Sequence, residues 1–166
     1  MDLCRWRGGP QDFPFAPRLL AGLFVAGLAL DLLVASALDD DAHALARSVL
    51  SSGIVLGLCW VALAIRGVRN RYVQTATALL ACSLAFSLLQ LPLALLAGPA
   101  PAPTAELSTL QVLIGWMTLA LFVWQVSVDA HIMRQAMDAS FGLAFALILS
   151  WVLAYWALDR IVFGAG

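Results

Sequence analysis

Along the chain, apolar residues gather into five long runs separated by short polar breaks. The runs cover about 17–38, 45–65, 72–97, 107–128 and 139–158. Each is close to or above the roughly 20 residues that a helix needs to cross a ~30 Å hydrocarbon core. The pattern predicts an all-α protein, a polytopic integral membrane bundle of five transmembrane helices. Residues 1–16 read as an N-terminal arm and 17–166 as a single transmembrane domain. Pro10, Pro14 and Pro17 deny the arm a continuous helix, and Phe13 and Phe15 are expected at headgroup level.

The breaks differ in character. Asp39, Asp40 and Asp41 predict a solvated turn that also caps the next helix. Arg66, Arg69 and Arg71, with Asn70, predict a tight basic loop. Gly98 to Pro103 predicts a rigid, uncharged turn, and Pro92 is expected to kink or end the third span. Trp151, Tyr155 and Trp156 are expected to form an interfacial belt near the far end of the fifth.

Composition supports lipid as the solvent. The chain of 166 residues is 63% hydrophobic and 11% charged, against roughly half and a quarter in soluble proteins. One core of this size does not hide so much apolar surface. Net charge is -1, which implies no nucleic acid partner. All nine basic residues are Arg, a usage typical of GC-rich bacteria, so the expected location is a bacterial cytoplasmic (inner) membrane.

Those arginines set an orientation. Arg5, Arg7, Arg18, Arg66, Arg69, Arg71 and Arg134 fall on one side, against Arg47 and Arg160 on the other. The positive-inside rule then puts the N-terminus in the cytoplasm and the C-terminus outside. A competing reading takes the first run as a signal peptide cleaved after Ala35-Ser36-Ala37. Against it, the leading segment is long and contains acids, and Asp31 interrupts the apolar run.

Two polar groups carry the candidate chemistry. Asp31 lies inside the first span, where an acid costs roughly 2.5–3.5 kcal/mol on insertion scales. It is expected about 10 Å from the outer end, at 1.5 Å per residue, with no second acid at its depth within a span. Arg47 enters from the second span, and Gln90 and Gln111 are expected at a similar level. Together they form either a polar pocket open to the outside or a simple Asp31–Arg47 ion pair that fixes helix register. The second group is the stretch from Val123 to Gly142, with Gln125, Asp129, His131, Arg134, Gln135 and Asp138. It predicts a polar cytoplasmic contact turn, in which His131 pairs with Gln135 and Arg134 with Asp138 at helical spacing. Gly53 and Gly57 form a GxxxG, read as packing between helices within the chain.

Other chemistry is not expected. Cys4, Cys59 and Cys82 read as small inert thiols, without metal-ligand spacing or a disulfide framework. His43 and His131 are expected at opposite faces, which disfavours a bis-histidine haem. No HExxH, Gly-x-Ser-x-Gly or phosphate loop occurs. The expectation is therefore no enzyme, no metal and no cofactor.

A Trp-ending span at Val123 and Trp124, a turn with His131, Arg134 and Ala136, and a final apolar span resemble the Ypt-interacting protein (YIP) family of five-span membrane proteins. The run from Gly9 to Pro14 also looks like the opening of small proteobacterial membrane proteins. The resemblance implies an adaptor, organiser or accessory subunit acting through membrane lipids, another membrane protein or self-association, and it implies no catalytic residue. The alternative is a transporter or channel subunit with Asp31 and Arg47 as a proton, ion or solute site. Five spans are few for a lone secondary transporter, so that alternative needs an oligomer or a partner.

Overall fold

The computed structural model describes residues 16–37, 43–98 and 108–164. They form five helices, with no strand among the described residues. These are α1 (Pro17–Ala37), α2 (Ala44–Ile65), α3 (Tyr72–Ala97), α4 (Thr109–Met137) and α5 (Phe141–Phe163), with one 3-10 turn at Arg69–Arg71 before α3. Each is long and apolar enough to cross a membrane, the mark of a multi-pass membrane protein. The expected acidic turn at Asp39–Asp41, the N-terminal arm and most of the Gly98–Pro103 turn lie outside the described residues.

The helices close a ring in the order α1, α3, α4, α5, α2, with α2 also leaning inward onto α3 and α4. Packing is uneven along the ring's axis. The buried core gathers at the end where α2 stops and α3 starts, around Cys59, Leu63, Leu79, Phe86, Val128, Ile132, Met133 and Trp151. The opposite half holds few buried residues, among them Ser48 and Ile114, and α1 has none. The outer surface is apolar, with Val25, Leu33, Ile65, Leu96, Trp116 and Ile161 all well exposed, as lipid contact requires.

The packed end is fastened by backbone chemistry. Gly67 adopts φ 73° after α2, and Val68 N–H donates to the Leu63 carbonyl at 2.9 Å while Gly67 N–H donates to Ala64 at 3.1 Å. This double bond pattern needs a residue that tolerates positive φ, which is why glycine stands there. It turns the chain so that the basic loop meets the end of α4. Arg66 Nε and Nη2 donate to the Met137 carbonyl at 3.3 and 3.1 Å. Arg71 Nη1 donates to the Ala136 carbonyl at 3.1 Å and to Asp138 Oδ2 at 2.8 Å. The last carbonyls of a helix have no partner of their own and carry its negative pole, so two guanidinium groups both satisfy and neutralise them. Arg66→Ala and Arg71→Ala should each cost about 1.5–3 kcal/mol, the value of a charge-assisted hydrogen bond, seen as a lower unfolding temperature of the purified protein.

Three expectations change here. The fourth helix does not stop near Val128 but continues to Met137, because its last turns carry Val128, Ala130, Ile132, Met133 and Ala136, which are buried in the core. The helix α3 keeps the expected bounds, Tyr72–Ala97, with Pro92 inside it, so of the two effects expected of Pro92, ending the helix there does not occur. Trp151 and Tyr155 are not a lipid-interface belt. Ala144, Ile148, Trp151, Tyr155 and Asp159 fall on one stripe of α5 at helical spacing, and Trp151 is buried. Trp156 alone of the three is well exposed, beneath the Arg160 guanidinium.

Candidate functional site

The loosely packed half of the ring opens into a polar cleft of about 380 Å³. Its walls are α1 with Asp31, Val34 and Ala35, α2 with Arg47, Ser48 and Ser51, α3 with Ser87 and Gln90, and α5 with Tyr155. The cleft exists because small residues face one another there. Ala35, Ala44, Ser48, Ser51, Ser87 and Ala94 leave space that larger side chains would fill.

Asp31 is exposed to the cleft. Ser48 Oγ donates to Asp31 Oδ2, and Asp31 forms no ion pair among the described residues. The expected Asp31–Arg47 pair is replaced. Arg47 Nε lies 3.4 Å from Asp159 Oδ1, with both side chains partly buried, and the Arg47 guanidinium also sits over the Phe163 ring. The reason is rotational. Asp159 ends the interior stripe of α5, which packs directly on α2, and this brings its carboxylate to Arg47. Among the described residues, Asp159 is the second acid at this end of the bundle, and Tyr155 lies within electrostatic reach of Asp31, Arg47 and Asp159.

Of the four residues expected in this group, Asp31, Arg47 and Gln90 share the cleft and Gln111 does not. Ser108 Oγ accepts from Gln111 N–H at 3.2 Å, and Gln111 Oε1 accepts from Ser108 N–H at 2.9 Å. This reciprocal pair is a capping box that starts α4. The 29 residues of α4 extend about 43 Å at 1.5 Å per residue. With the other end held by Arg66 and Arg71, the surplus length projects past the cleft and takes Gln111 with it.

The contact turn is also redistributed. Gln125 reaches across to α3, where Gln90 Nε2 donates to its Oε1 at a long 3.5 Å. Asp129 sits about 12 Å from the end of α4 at 1.5 Å per residue, not at the surface. His131 is buried and bonds Gln135 between Nε2 atoms at 2.9 Å. Arg134 is exposed, and Asp138 ends α4 with φ 51° and ψ 47°, held by Arg71. The expected pairing of Arg134 with Asp138 is therefore replaced by Arg71 with Asp138. The reason is that Asp138 leaves the helix in a left-handed conformation that turns its side chain toward the basic loop.

Gly53 and Gly57 face outward, and a Cβ added at either would meet nothing within 4 Å. They pack no helix of this chain. The inward side of α2 carries Ser48, Ser52, Val55, Cys59, Ala62 and Leu63 instead, and the GxxxG lies on the other side.

The residues that the sequence reading passed over are Ser87, Tyr155 and Asp159. The signal for the last two was present in the spacing from Ile148 to Asp159. It was obscured because Trp and Tyr near a helix end also fit an interface belt. No protein-family model, no curated protein and no solved structure matches the chain.

Proposed function

We propose that this is a non-enzymatic multi-pass protein of the bacterial inner membrane that takes up a small amine-bearing solute through the Asp31 cleft. The observation that carries this reading is the charge arrangement. Arg47 is engaged by Asp159, while the Asp31 carboxylate faces an open cavity with, among the described residues, the Ser48 hydroxyl for a partner. A carboxylate has about four acceptor positions, and a primary ammonium has three donors and no acceptor. The serine hydroxyls, the Tyr155 hydroxyl and the Gln90 amide oxygen supply the further acceptors.

The distribution of arginine puts the N-terminus in the cytoplasm and opens the cleft to the outer face. Lipids surround the apolar belt, and a second copy or another membrane protein completes the pathway, since five spans are few for transport alone. The adaptor reading has less to rest on. In the stretch meant for partner contact, His131 is buried and the exposed Asp138 is paired with Arg71, which leaves Arg134 as its exposed charge outside that pair.

Reconstituted into vesicles, the protein should move labelled ethanolamine, and Asp31→Asn should reduce that uptake roughly 10- to 100-fold. That corresponds to the ~1.5–3 kcal/mol of a hydrogen bond to a charged group, at 1.4 kcal/mol per factor of ten. Equal uptake by the two proteins would overturn the reading.

A further inference from the structure

Below the cleft lies a second cavity of about 210 Å³, lined by α2, α3, α4 and α5. Its lining includes Val55, Ser83 and Val152, which stand near the middles of their helices, so the cavity is at mid-depth in the bundle. Ser51 and Tyr155 line both cavities, which makes them the boundary between the two. Asp129 points into the lower one. Part of its side chain is accessible from the cavity, while its Oδ1 atom is buried and accepts no hydrogen bond from any described residue.

Most of the lining is apolar, with Ile54, Leu79, Leu80, Phe122, Val126 and Ile148. A bare carboxylate in such a place is costly unless it is neutralised. Tyr155, from α5, is the other titratable group in the lining. α2 contributes Ser51 and Ser52, α3 contributes Ser83, and α4 adds Gln125. His131 is two residues further along α4 and bonds Gln135. Among the described residues no arginine lines the cavity, so none of them places a fixed positive charge there to neutralise Asp129.

We propose that Asp129 is a proton-binding site, reached from the cleft past Ser51 and Tyr155. A proton needs a single carboxylate oxygen, whereas an alkali or alkaline-earth ion needs several oxygens converging on one point. The lining hydroxyls and the Gln125 amide are spread over four helices, and adding sodium chloride at constant pH separates the two. Proton binding itself stands without the amine reading. Its use as the coupling ion for solute movement rests on that reading.

Infrared spectroscopy of the protein in lipid nanodiscs tests the site. The wild type should show the C=O stretch of a protonated carboxyl, and this band should shift when H₂O is exchanged for D₂O. Asp129→Asn should lose the band, Asp129→Glu should keep it at a shifted position, and Asp31→Asn should keep it unchanged. Ser51→Leu should slow the deuterium shift by narrowing the boundary. A spectrum in which Asp129→Asn matches wild type at every pH that leaves the bundle folded overturns the proposal. So does a band that disappears on adding sodium chloride at constant pH. Ethanolamine binding to Asp129→Asn, followed as thermal protection, separates the two sites. If binding persists while the band is lost, both stand. If the wild type shows the band without ethanolamine protection, the amine reading alone fails.

Discussion

Trp151→Ala lowers the unfolding temperature of the bundle sharply, while Trp156→Ala leaves it nearly unchanged. The two tryptophans sit five positions apart on one helix, but Trp151 is 5% exposed and Trp156 is 59% exposed. Removing a buried Trp costs about 3–5 kcal/mol in soluble proteins. Part of that figure is transfer from water, which is absent when the reference state is also in lipid. The cost here is lost packing, so the expectation is about 3 kcal/mol, the lower end of that soluble range. Thermal unfolding in detergent reads the difference. Equal, small shifts for the two variants would mean that Trp151 faces lipid and that the stripe from Ala144 to Asp159 is rotated.

The second large effect concerns Arg47 and Asp159. Removing one partner of a buried ion pair costs about 3–5 kcal/mol, because it strands the other charge. These side chains are 34% and 26% exposed, so the cleft screens them and the expectation falls to about 1–3 kcal/mol for each single change. Arg47→Ala also removes the contact with Phe163, so it should cost more than Asp159→Ala. The double variant should cost less than the sum of the singles, with a coupling of about 1 kcal/mol or more. Pairing Asp31→Ala with Arg47→Ala serves as the control and should give costs closer to additive. If the coupling appears with Asp31 and not with Asp159, the register pair is Asp31–Arg47 and the cleft has no uncommitted carboxylate.

The five helices were legible because a span is a matter of length and apolar content. Their rotations were not. In a soluble helix the polar side marks the outside, but in lipid the outward side is as apolar as the core, so the runs do not show which residues look inward. That is why Trp151 and Tyr155 read as interface anchors and why Gly53 and Gly57 read as internal packing. The end of α4 was missed for a related reason. Asp129, His131, Arg134 and Gln135 are polar enough to suggest a loop, yet the residues between them are buried and hold the helix together to Met137. Asp31, Arg47 and Gln90 were found because a polar residue inside a span is conspicuous in any rotation. Partners were harder to read. Arg66 and Arg71 looked like a basic loop that marks orientation, and only the packing of α2 and α3 against α4 brings them to its carbonyls.

Thiol labelling of Ser87→Cys, in a background with Cys4, Cys59 and Cys82 replaced, tests the central claim most directly. Ser87 lines the cleft, while Gly53 faces outward. A charged, membrane-impermeant thiol reagent added from the outer face should label Ser87→Cys and leave Gly53→Cys unreacted. A cationic reagent should react faster than an anionic one, and Asp31→Asn should remove most of that preference. If Ser87→Cys is as inert as Gly53→Cys, or reacts equally with both reagents, the acidic cleft open to the outer face does not exist.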